Sequence, residues 1–319
     1  MASFAAANLS ATLFTLPGFP GLEEMHQWIG ILIFSSYLVA TLGNCTILYV
    51  IWTEPGLHQP MYVLLPQPCF GHHHDLGLCP PTTMPTVMGV LWFQLRDISK
   101  GPCIAQLFIV HSFSFMESAV LFAMALDRFL AICYPLRYTV LLTTSRVLRI
   151  GLVLLLRSTT LLVAPMLFLL HFPYCPGATL SHSYCLHQDV IRLACTNTAF
   201  NTFYGLIVIV LTLGSDLLFI LISYSLILKT VLGMTSGKEG YHKALGTCVS
   251  ASAPVPGLLV QLLGLSIVHR FGQHAPPLLH VIMGNFYILL PPLMNPIIYS
   301  IKTKQIYSKI LRLVSLKRV

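Results

Sequence analysis

Charged residues are scarce in this chain. Only 10 acidic and 18 basic side chains occur among its 319 residues, a charged share of 9%, whereas soluble domains carry about 25%. The mean hydropathy of +0.78 is correspondingly high, and no stretch of soluble-type composition is long enough for a second domain. This deficit excludes a soluble globular protein and indicates a single integral membrane domain.

The short motifs on which most enzyme predictions rest are also missing. There is no Gly-rich phosphate loop, no zinc-type spacing of His and Cys, and no nucleophile elbow. The triplet His72, His73 and His74 is not expected to bind a metal, because successive helix positions point in different directions. Residues 1–28 lack the basic start and apolar core of a cleavable signal peptide. We therefore expect neither an enzyme nor a cofactor, and a first span that directs its own insertion.

Long apolar segments are what the chain does contain. Seven of them approach the roughly 20 residues that a helix needs to cross a bilayer. Their predicted limits are 29–52, 62–92, 103–131, 148–171, 200–228, 246–268 and 278–300. The predicted fold is an all-α membrane protein, a seven-transmembrane-helix bundle with an N-terminal segment 1–28, a membrane domain 29–300 and a tail 301–319.

Basic residues predict the orientation of this bundle. Of the 18 Lys and Arg residues, 13 fall on one side of a seven-span arrangement, and the positive-inside rule makes that side cytoplasmic. They are Arg128, Arg137, Arg146, Arg149, Lys229, Lys238, Lys243, Lys302, Lys304, Lys309, Arg312, Lys317 and Arg318. Because they act as topology signals, a nucleic-acid partner is not expected. The N-terminus is then extracellular, where Asn8 begins a glycosylation sequon.

Four of the nine cysteines fall on the predicted outer side: Cys103, Cys175, Cys185 and Cys195. An extracellular segment can keep disulfides. Four cysteines allow three pairings, and spacing alone leaves all three open.

An acid-base pair, Asp127-Arg128, lies where the third span meets a basic loop, a position at which charges are usually functional. The surrounding run MALDRFLAICYPLRY resembles the end of the third helix of vertebrate odorant receptors, which are rhodopsin-like G-protein-coupled receptors. Further resemblances follow in order at Gly43-Asn44, Met61-Tyr62, Ser223-Tyr224, Lys243-Ala244-Leu245 and PPLMNPIIY from Pro291 to Tyr299. Residues 181–189 and 268–272 look like the class I, or fish-like, branch, whose members often detect small carboxylic acids.

The resemblance implies roles for particular residues. It pairs Cys103 with Cys185 and Cys175 with Cys195. It places Asp127, Arg128 and Tyr299 in activation and in coupling to a heterotrimeric, stimulatory olfactory-type G protein. It assigns Asp75, Glu117 and Asn295 to a sodium-binding or water-filled polar core, with no other metal. It also implies a multi-pass protein of the plasma membrane, and Arg157 and Asp216 are expected to make structural polar contacts.

The expected ligand site combines this resemblance with helix geometry. Arg270 and Ser266 are four residues apart and share a helical face. A bridge between Cys103 and Cys185 would bring His111 and Gln188 nearby. A guanidinium presents a forked donor that fits a carboxylate, so a small odorant acid is the expected ligand.

The tail is predicted to form a short amphipathic helix on the anionic inner leaflet, because apolar residues lie among its cations. These apolar residues are Ile306, Ile310, Leu311 and Leu313.

Two segments depart from the family pattern. Residues 63–74 contain Pro66, Pro68 and the three histidines, and residues 251–261 contain Pro254 and Pro256, with Leu259 at an aromatic position of the family. Interior prolines remove helix hydrogen bonds, so the aberrant second and sixth helices predict impaired folding and signalling. One alternative is a non-signalling, pseudogene-like product of a receptor. A channel or transporter that uses the intramembrane acids as an ion path is another, although no inverted repeat supports it.

Overall fold

The computed structural model describes residues 13–54, 83–234, 276–302 and 304–315, and it describes only the backbone at several positions after 290. Within these residues, five helices are long and apolar enough to cross a membrane. The predicted span 246–268 and both departing segments, 63–74 and 251–261, lie outside them. The span predicted at 62–92 is described only from residue 83 onward.

The described part of the chain is mostly helical. The main helices are α1 (His26–Thr53), α2 (Met84–Phe93), α3 (Lys100–Cys133), α4 (Thr144–His171), α5 (Ala199–Ile209, continuing through a π-helical turn at Val210–Gly214 into Ser215–Met234), α6 (Pro277–Lys302) and α7 (Lys304–Ser315). Two strands, β1 (Leu13–Thr15) and β2 (Asp97–Ser99), pair antiparallel. Short helical turns occur at Glu23–Met25, Pro135–Arg137, Tyr138–Leu141 and His187–Arg192.

The spanning helices begin one to four residues before their predicted apolar limits, as α4 does at Thr144 rather than at residue 148. Helical hydrogen bonding continues into the polar interface, where apolar side chains are no longer required. Helix α3 lies centrally, because it packs against both α4 and α5, while α1 packs against α2, α6 and α7. Large side chains of α1, such as Trp28, Leu32 and Trp52, are exposed, as expected for a helix in contact with lipid.

Prolines within the helices free backbone carbonyls, and neighbouring helices supply donors to them. Pro296 has no N–H to offer the carbonyl of Pro292, four residues earlier. The side-chain amide of Asn44 in α1 donates to that carbonyl at 2.9 Å. Gly43 allows the approach, since a Cβ there would lie 2.9 Å from Pro296 Cγ. The Gly43-Asn44 pair therefore joins α1 to α6.

The same arrangement occurs in α4. Pro165 leaves the carbonyl of Leu161 without its usual helical donor, and the Tyr204 hydroxyl of α5 donates to it at 3.2 Å. Within the bilayer core, no water is present to form hydrogen bonds with unsatisfied backbone groups. These two contacts explain how Pro296 and Pro165 are tolerated within their helices.

A buried ionic network joins α3, α4 and α5. The Arg157 guanidinium pairs with Asp216 at 2.9 Å, and the Ser118 hydroxyl donates to the same carboxylate at 2.9 Å. Arg157 also donates to the carbonyl of Thr212 at 3.3 Å, within the π-helical turn of α5. The two charges expected to make structural polar contacts are thus each other's partners, as intramembrane charges commonly are.

The predicted extracellular end is closed by several short elements. Strand β1 pairs with β2, and Thr15 also bridges to Thr179 in the segment between α4 and α5. Phe14 is fully buried and meets Tyr174 edge to face at 4.8 Å between centroids. Disulfides join Cys103 to Cys185 and Cys175 to Cys195, each with a Cα–Cα distance of 5.5 Å. This is the pairing that the family resemblance implies.

At the opposite end, helix α7 docks against α1. Ile306 is fully buried among Ile47, Val50 and Ile51. Lys309 forms an ion pair with Glu54, the residue that follows α1. The position of α7 agrees with the short tail helix expected between residues 303 and 314.

Candidate ligand-binding site

The segment between α4 and α5, residues 172–198, covers one end of the helices. Cys185 is held to α3 by its disulfide to Cys103, and its backbone N–H donates to Gln106 Oε1 at 2.8 Å. The Gln106 amide also donates to Thr86 of α2 at 3.0 Å. These contacts fix the middle of the segment against α2 and α3, and they determine where the next residues lie.

His111 and the short helix His187–Arg192 meet beneath this anchor. The rings of His111 and His187 are 5.9 Å apart and nearly perpendicular. His187 also lies against α5, since a Cβ at Gly205 would be 3.3 Å from its ring. Two of the expected ligand residues, His111 and Gln188, are therefore brought to the same region by the bridge between Cys103 and Cys185.

Several buried polar atoms in this region have no hydrogen-bonding partner among the described residues. Within the described ranges, His111 Nε2, Ser112 Oγ and Gln188 Oε1 are buried and have no hydrogen-bonding partner. A buried donor or acceptor left unpaired costs about 1 to 3 kcal/mol, so such atoms are usually satisfied by something. They lie on α3 and on the 172–198 segment, where the rings of His111 and His187 meet, and they mark a candidate polar site there.

A second polar group lies deeper along α3. The hydroxyls of Ser114 and Tyr287 are hydrogen-bonded at 2.6 Å, which joins α3 to α6. The Glu117 carboxylate is close enough to Tyr287 to interact with it electrostatically. Of the residues expected in a sodium-binding or water-filled core, Glu117 thus lies near Tyr287.

The segment itself is closely packed where it meets α6. The Tyr184 hydroxyl donates to the carbonyl of Gly284 at 2.7 Å. Burial raises the pKa of Tyr184 well above its usual value, and the nearby Tyr287 and Asp189 raise it further. Tyr184 therefore remains a neutral hydrogen-bond donor throughout the physiological range.

The other end of α3 carries the acid-base pair. Asp127 is buried and accepts a hydrogen bond from the Tyr138 hydroxyl at 2.7 Å. Arg128, the neighbouring residue, is half-buried. The Cys133 thiol donates to Thr230 at 3.3 Å and joins the end of α3 to α5. Asp127 is therefore held by the turn that follows its own helix.

The remaining expected site residues, or their side chains, lie outside the described part of the chain. Arg270, Ser266, Asp75 and Asn8 lie outside the described residues. Asn295 and Tyr299 lie on the described backbone of α6, but their side chains are not described.

Sequence reasoning missed several residues of the site. Ser112, Ser114 and Tyr287 carry no motif of their own, although Ser114 and Tyr287 make a direct polar contact between α3 and α6. His187 could have been found from its neighbour Gln188. Tyr138 closes the motif run that contains Asp127, and its role as the hydroxyl donor could have been suspected from that proximity.

These features define a multi-pass helical membrane protein with buried, unpaired polar atoms beneath the disulfide-bonded 172–198 segment. The family model described as olfactory receptor matches residues 33–317. Human olfactory receptor 51L1 is 50% identical over 306 residues, which cover 96% of each chain. Human olfactory receptor 51G2 is 52% identical over 96% of this chain and 95% of its own. Mouse olfactory receptor 51E2 is 45% identical over 96% of this chain and 94% of its own.

The chain belongs to the olfactory receptor family. Members of this family are multi-pass plasma-membrane receptors for small odorants, they couple to G proteins, and they are not enzymes. The three relatives named above carry the 51 designation, which is consistent with the class I branch. These findings confirm the family resemblance seen in the sequence motifs.

Proposed function

We propose that this olfactory receptor recognises small carboxylic acids at the site formed by α3 and the 172–198 segment. The observation that carries the proposal is the group of buried, unpaired polar atoms of His111, Ser112 and Gln188. They offer hydrogen bonds to a compact polar ligand. Arg270 and Ser266 are proposed to complete the site with a forked cation and a hydroxyl.

Charge matching favours an acid over an ester of the same size. A guanidinium donates two parallel hydrogen bonds to a carboxylate, and both partners are charged. Loss of a hydrogen bond to a charged group costs about 1.5 to 3 kcal/mol, which is roughly tenfold to hundredfold in potency. Apolar side chains around the site would hold the acyl chain.

The proposed test compares acids with their methyl esters in cells that display the receptor through an N-terminal epitope. Cyclic nucleotide production is measured against surface level for the unmodified chain, Arg270→Gln and Arg192→Gln. Arg192 is a matched control, because it is an exposed cation at the end of the short extracellular helix. Arg270→Gln should lose roughly tenfold to hundredfold in acid potency, and Arg192→Gln should not.

Equal responses to acids and esters, or an unchanged dose-response for Arg270→Gln at normal surface level, would rule out recognition of the carboxylate by Arg270.

The proposed architecture is the seven-helix bundle, with residues 1–28 outside, residues 29–300 as the receptor domain and residues 301–319 in the cytoplasm. An epitope before Phe4 should then be accessible on intact cells, and one after Val319 should not. The reverse accessibility would overturn the orientation.

For the cytoplasmic end we propose coupling to a stimulatory olfactory-type G protein through the region of Asp127, Arg128 and Tyr299. The burial of Asp127 and its bond to Tyr138 support a restrained acid beside a cation. The polar core is proposed to include Asp75 and Asn295 with Glu117.

We further propose that segments 63–74 and 251–261, which depart from the family pattern, weaken this receptor. If they abolish surface display, the chain is a non-signalling product.

A further inference from the structure

The short helix His187–Arg192 carries His187 and Gln188 to the ligand site, and its start is fixed at two points. The first is Cys185, with its disulfide to Cys103 and its hydrogen bond to Gln106. The second is Asp189, which lies in the first turn of the helix. His187 and Gln188 lie between these two anchors in the chain.

Asp189 ties the helix back to the residues that precede Cys185. Its Oδ2 accepts a hydrogen bond from the backbone N–H of Ser181 at 3.1 Å, and the same oxygen binds His182 Nδ1. The side chains of His182 and Asp189 are 0% and 1% exposed. A carboxylate removed from water in this way needs its partners in place, because an unpaired buried charge is strongly unfavourable.

Helix α6 lies against the His182 member of this pair. A Cβ at Gly284 would lie 3.0 Å from His182 Nε2 and 3.0 Å from the Tyr184 hydroxyl, with His182 Cδ2 closer still. A side chain at position 284 would therefore displace the imidazole. The pair thus connects the extracellular segment to α6.

We infer that Ser181, His182 and Asp189, closed against Gly284, form a latch that sets how far His187 and Gln188 reach into the ligand site. His182 and Asp189 are then positioning residues for odorant recognition. Neither needs to touch the ligand. The effect on potency rests on the proposed function, whereas the latch itself can be tested without any ligand.

Hydrogen exchange of the purified full-length receptor in lipid nanodiscs tests the latch directly. Asp189→Asn keeps the size of the side chain but removes its charge, and Gly284→Ala displaces His182 while leaving the carboxylate intact. In both variants the amides of residues 187–192 should exchange about tenfold faster, while those of α4 stay unchanged. Acid potency should fall about tenfold at equal surface level.

Two control variants match these changes. Asp97→Asn removes an exposed carboxylate on the same side, which accepts only from the Thr15 hydroxyl at 3.3 Å among its side-chain contacts. Gly233→Ala adds a Cβ that meets nothing within 4 Å. Neither should alter exchange at residues 187–192.

Unchanged exchange at residues 187–192 in Asp189→Asn and Gly284→Ala would overturn the latch. Faster exchange that extends through α4 would show a general folding role and would overturn the positioning assignment. Faster local exchange with unchanged acid potency would do the same. If no acid activates even a chain whose segments 63–74 and 251–261 have been replaced by family-like ones and that reaches the surface, the proposed ligand fails, and the exchange comparison still decides whether the latch exists.

Discussion

Single side chains satisfy backbone groups that prolines leave unpaired. Asn44 serves the carbonyl of Pro292, and Tyr204 serves that of Leu161. Each contact replaces a helical hydrogen bond with one from a neighbouring helix. The stability of the bundle therefore depends on a few polar side chains at sites where lipid or apolar neighbours offer no alternative donor.

Asn44→Ala should lower the free energy of unfolding by about 1 to 3 kcal/mol, because it leaves the Pro292 carbonyl unsatisfied. Thermal inactivation of the purified receptor measures the change. Ser35→Ala is the control, since the exposed Ser35 hydroxyl binds only the Leu32 carbonyl of its own helix, at 2.9 Å. Equal melting of the two variants would show that the α1–α6 contact contributes nothing.

The pair of Arg157 and Asp216 should behave as a unit. Asp216→Ala leaves the Arg157 cation and the Ser118 hydroxyl without their common partner, and breaking such a buried pair costs about 3 to 5 kcal/mol. The double variant Arg157→Met with Asp216→Leu removes both charges and should recover most of that loss. Surface level and thermal inactivation report both effects; a double variant as unstable as Asp216→Ala would contradict them.

At the scale of elements, apolar burial outweighs charge in the docking of α7. Ile306 is fully buried against α1, whereas the side chains of Lys309 and Glu54 are 36% and 35% exposed. Partly exposed ion pairs contribute about 0 to 1 kcal/mol, and truncation of a buried isoleucine costs about 2 to 5 kcal/mol. Among the described contacts of α7, burial of Ile306 therefore contributes more to docking than the ion pair of Lys309 with Glu54.

Ile306→Ala should detach α7, and Lys309→Gln should not. Hydrogen exchange of residues 304–315 in nanodiscs distinguishes the two, with much faster exchange expected only for Ile306→Ala. Tyr307→Ala provides a control, because Tyr307 is an exposed residue of the same helix. A larger effect from Lys309→Gln would reverse the assigned order of the two contributions.

Helices could be predicted from the sequence more readily than their contacts. Five described helices coincide with predicted spans because long apolar runs have a single stable form in lipid. The disulfide pairing followed from family resemblance. The ion pair of Arg157 with Asp216 and the bond of Ser114 with Tyr287 join residues distant in sequence. Neither hydropathy nor helical spacing contains that information.

Local irregularities of the backbone could not be predicted from the sequence either. The π-helical turn at Val210–Gly214 and the pairing of β1 with β2 leave no periodic signal in so few residues. At the site, His111 and Gln188 could be expected together only through the implied bridge between Cys103 and Cys185. The contribution of His182 and Asp189 became visible only from their shared burial.

At the scale of the whole molecule, the account predicts a receptor weakened by two local segments. A helix-interior proline costs roughly 3 kcal/mol, and Pro66, Pro68, Pro254 and Pro256 together approach the margin of about 5 to 15 kcal/mol that folded proteins have. The described helices tolerate prolines where another helix supplies a donor, as Tyr204 does at Leu161. The two departing segments concentrate four prolines in a short length.

Replacement of residues 63–74 and 251–261 by family-like apolar helical segments, with an aromatic at Leu259, should raise surface display and strengthen signalling. Flow cytometry of an N-terminal epitope and acid-evoked cyclic nucleotide production measure the two effects. A replacement of the tail residues 312–319 is the control for the effect of segment replacement as such. Full surface display and strong signalling from the unaltered chain would contradict the predicted defect.

Photoaffinity labelling tests directly whether an acid binds between α3 and the 172–198 segment. A short aliphatic acid that carries a diazirine is activated on the full-length receptor in nanodiscs, and the labelled peptides are identified by mass spectrometry. The account predicts labelling within residues 104–115 and 183–192, suppressed by unlabelled acid and weak for the matched methyl ester. Labelling confined to lipid-facing peptides, with no competition by the acid, would contradict it.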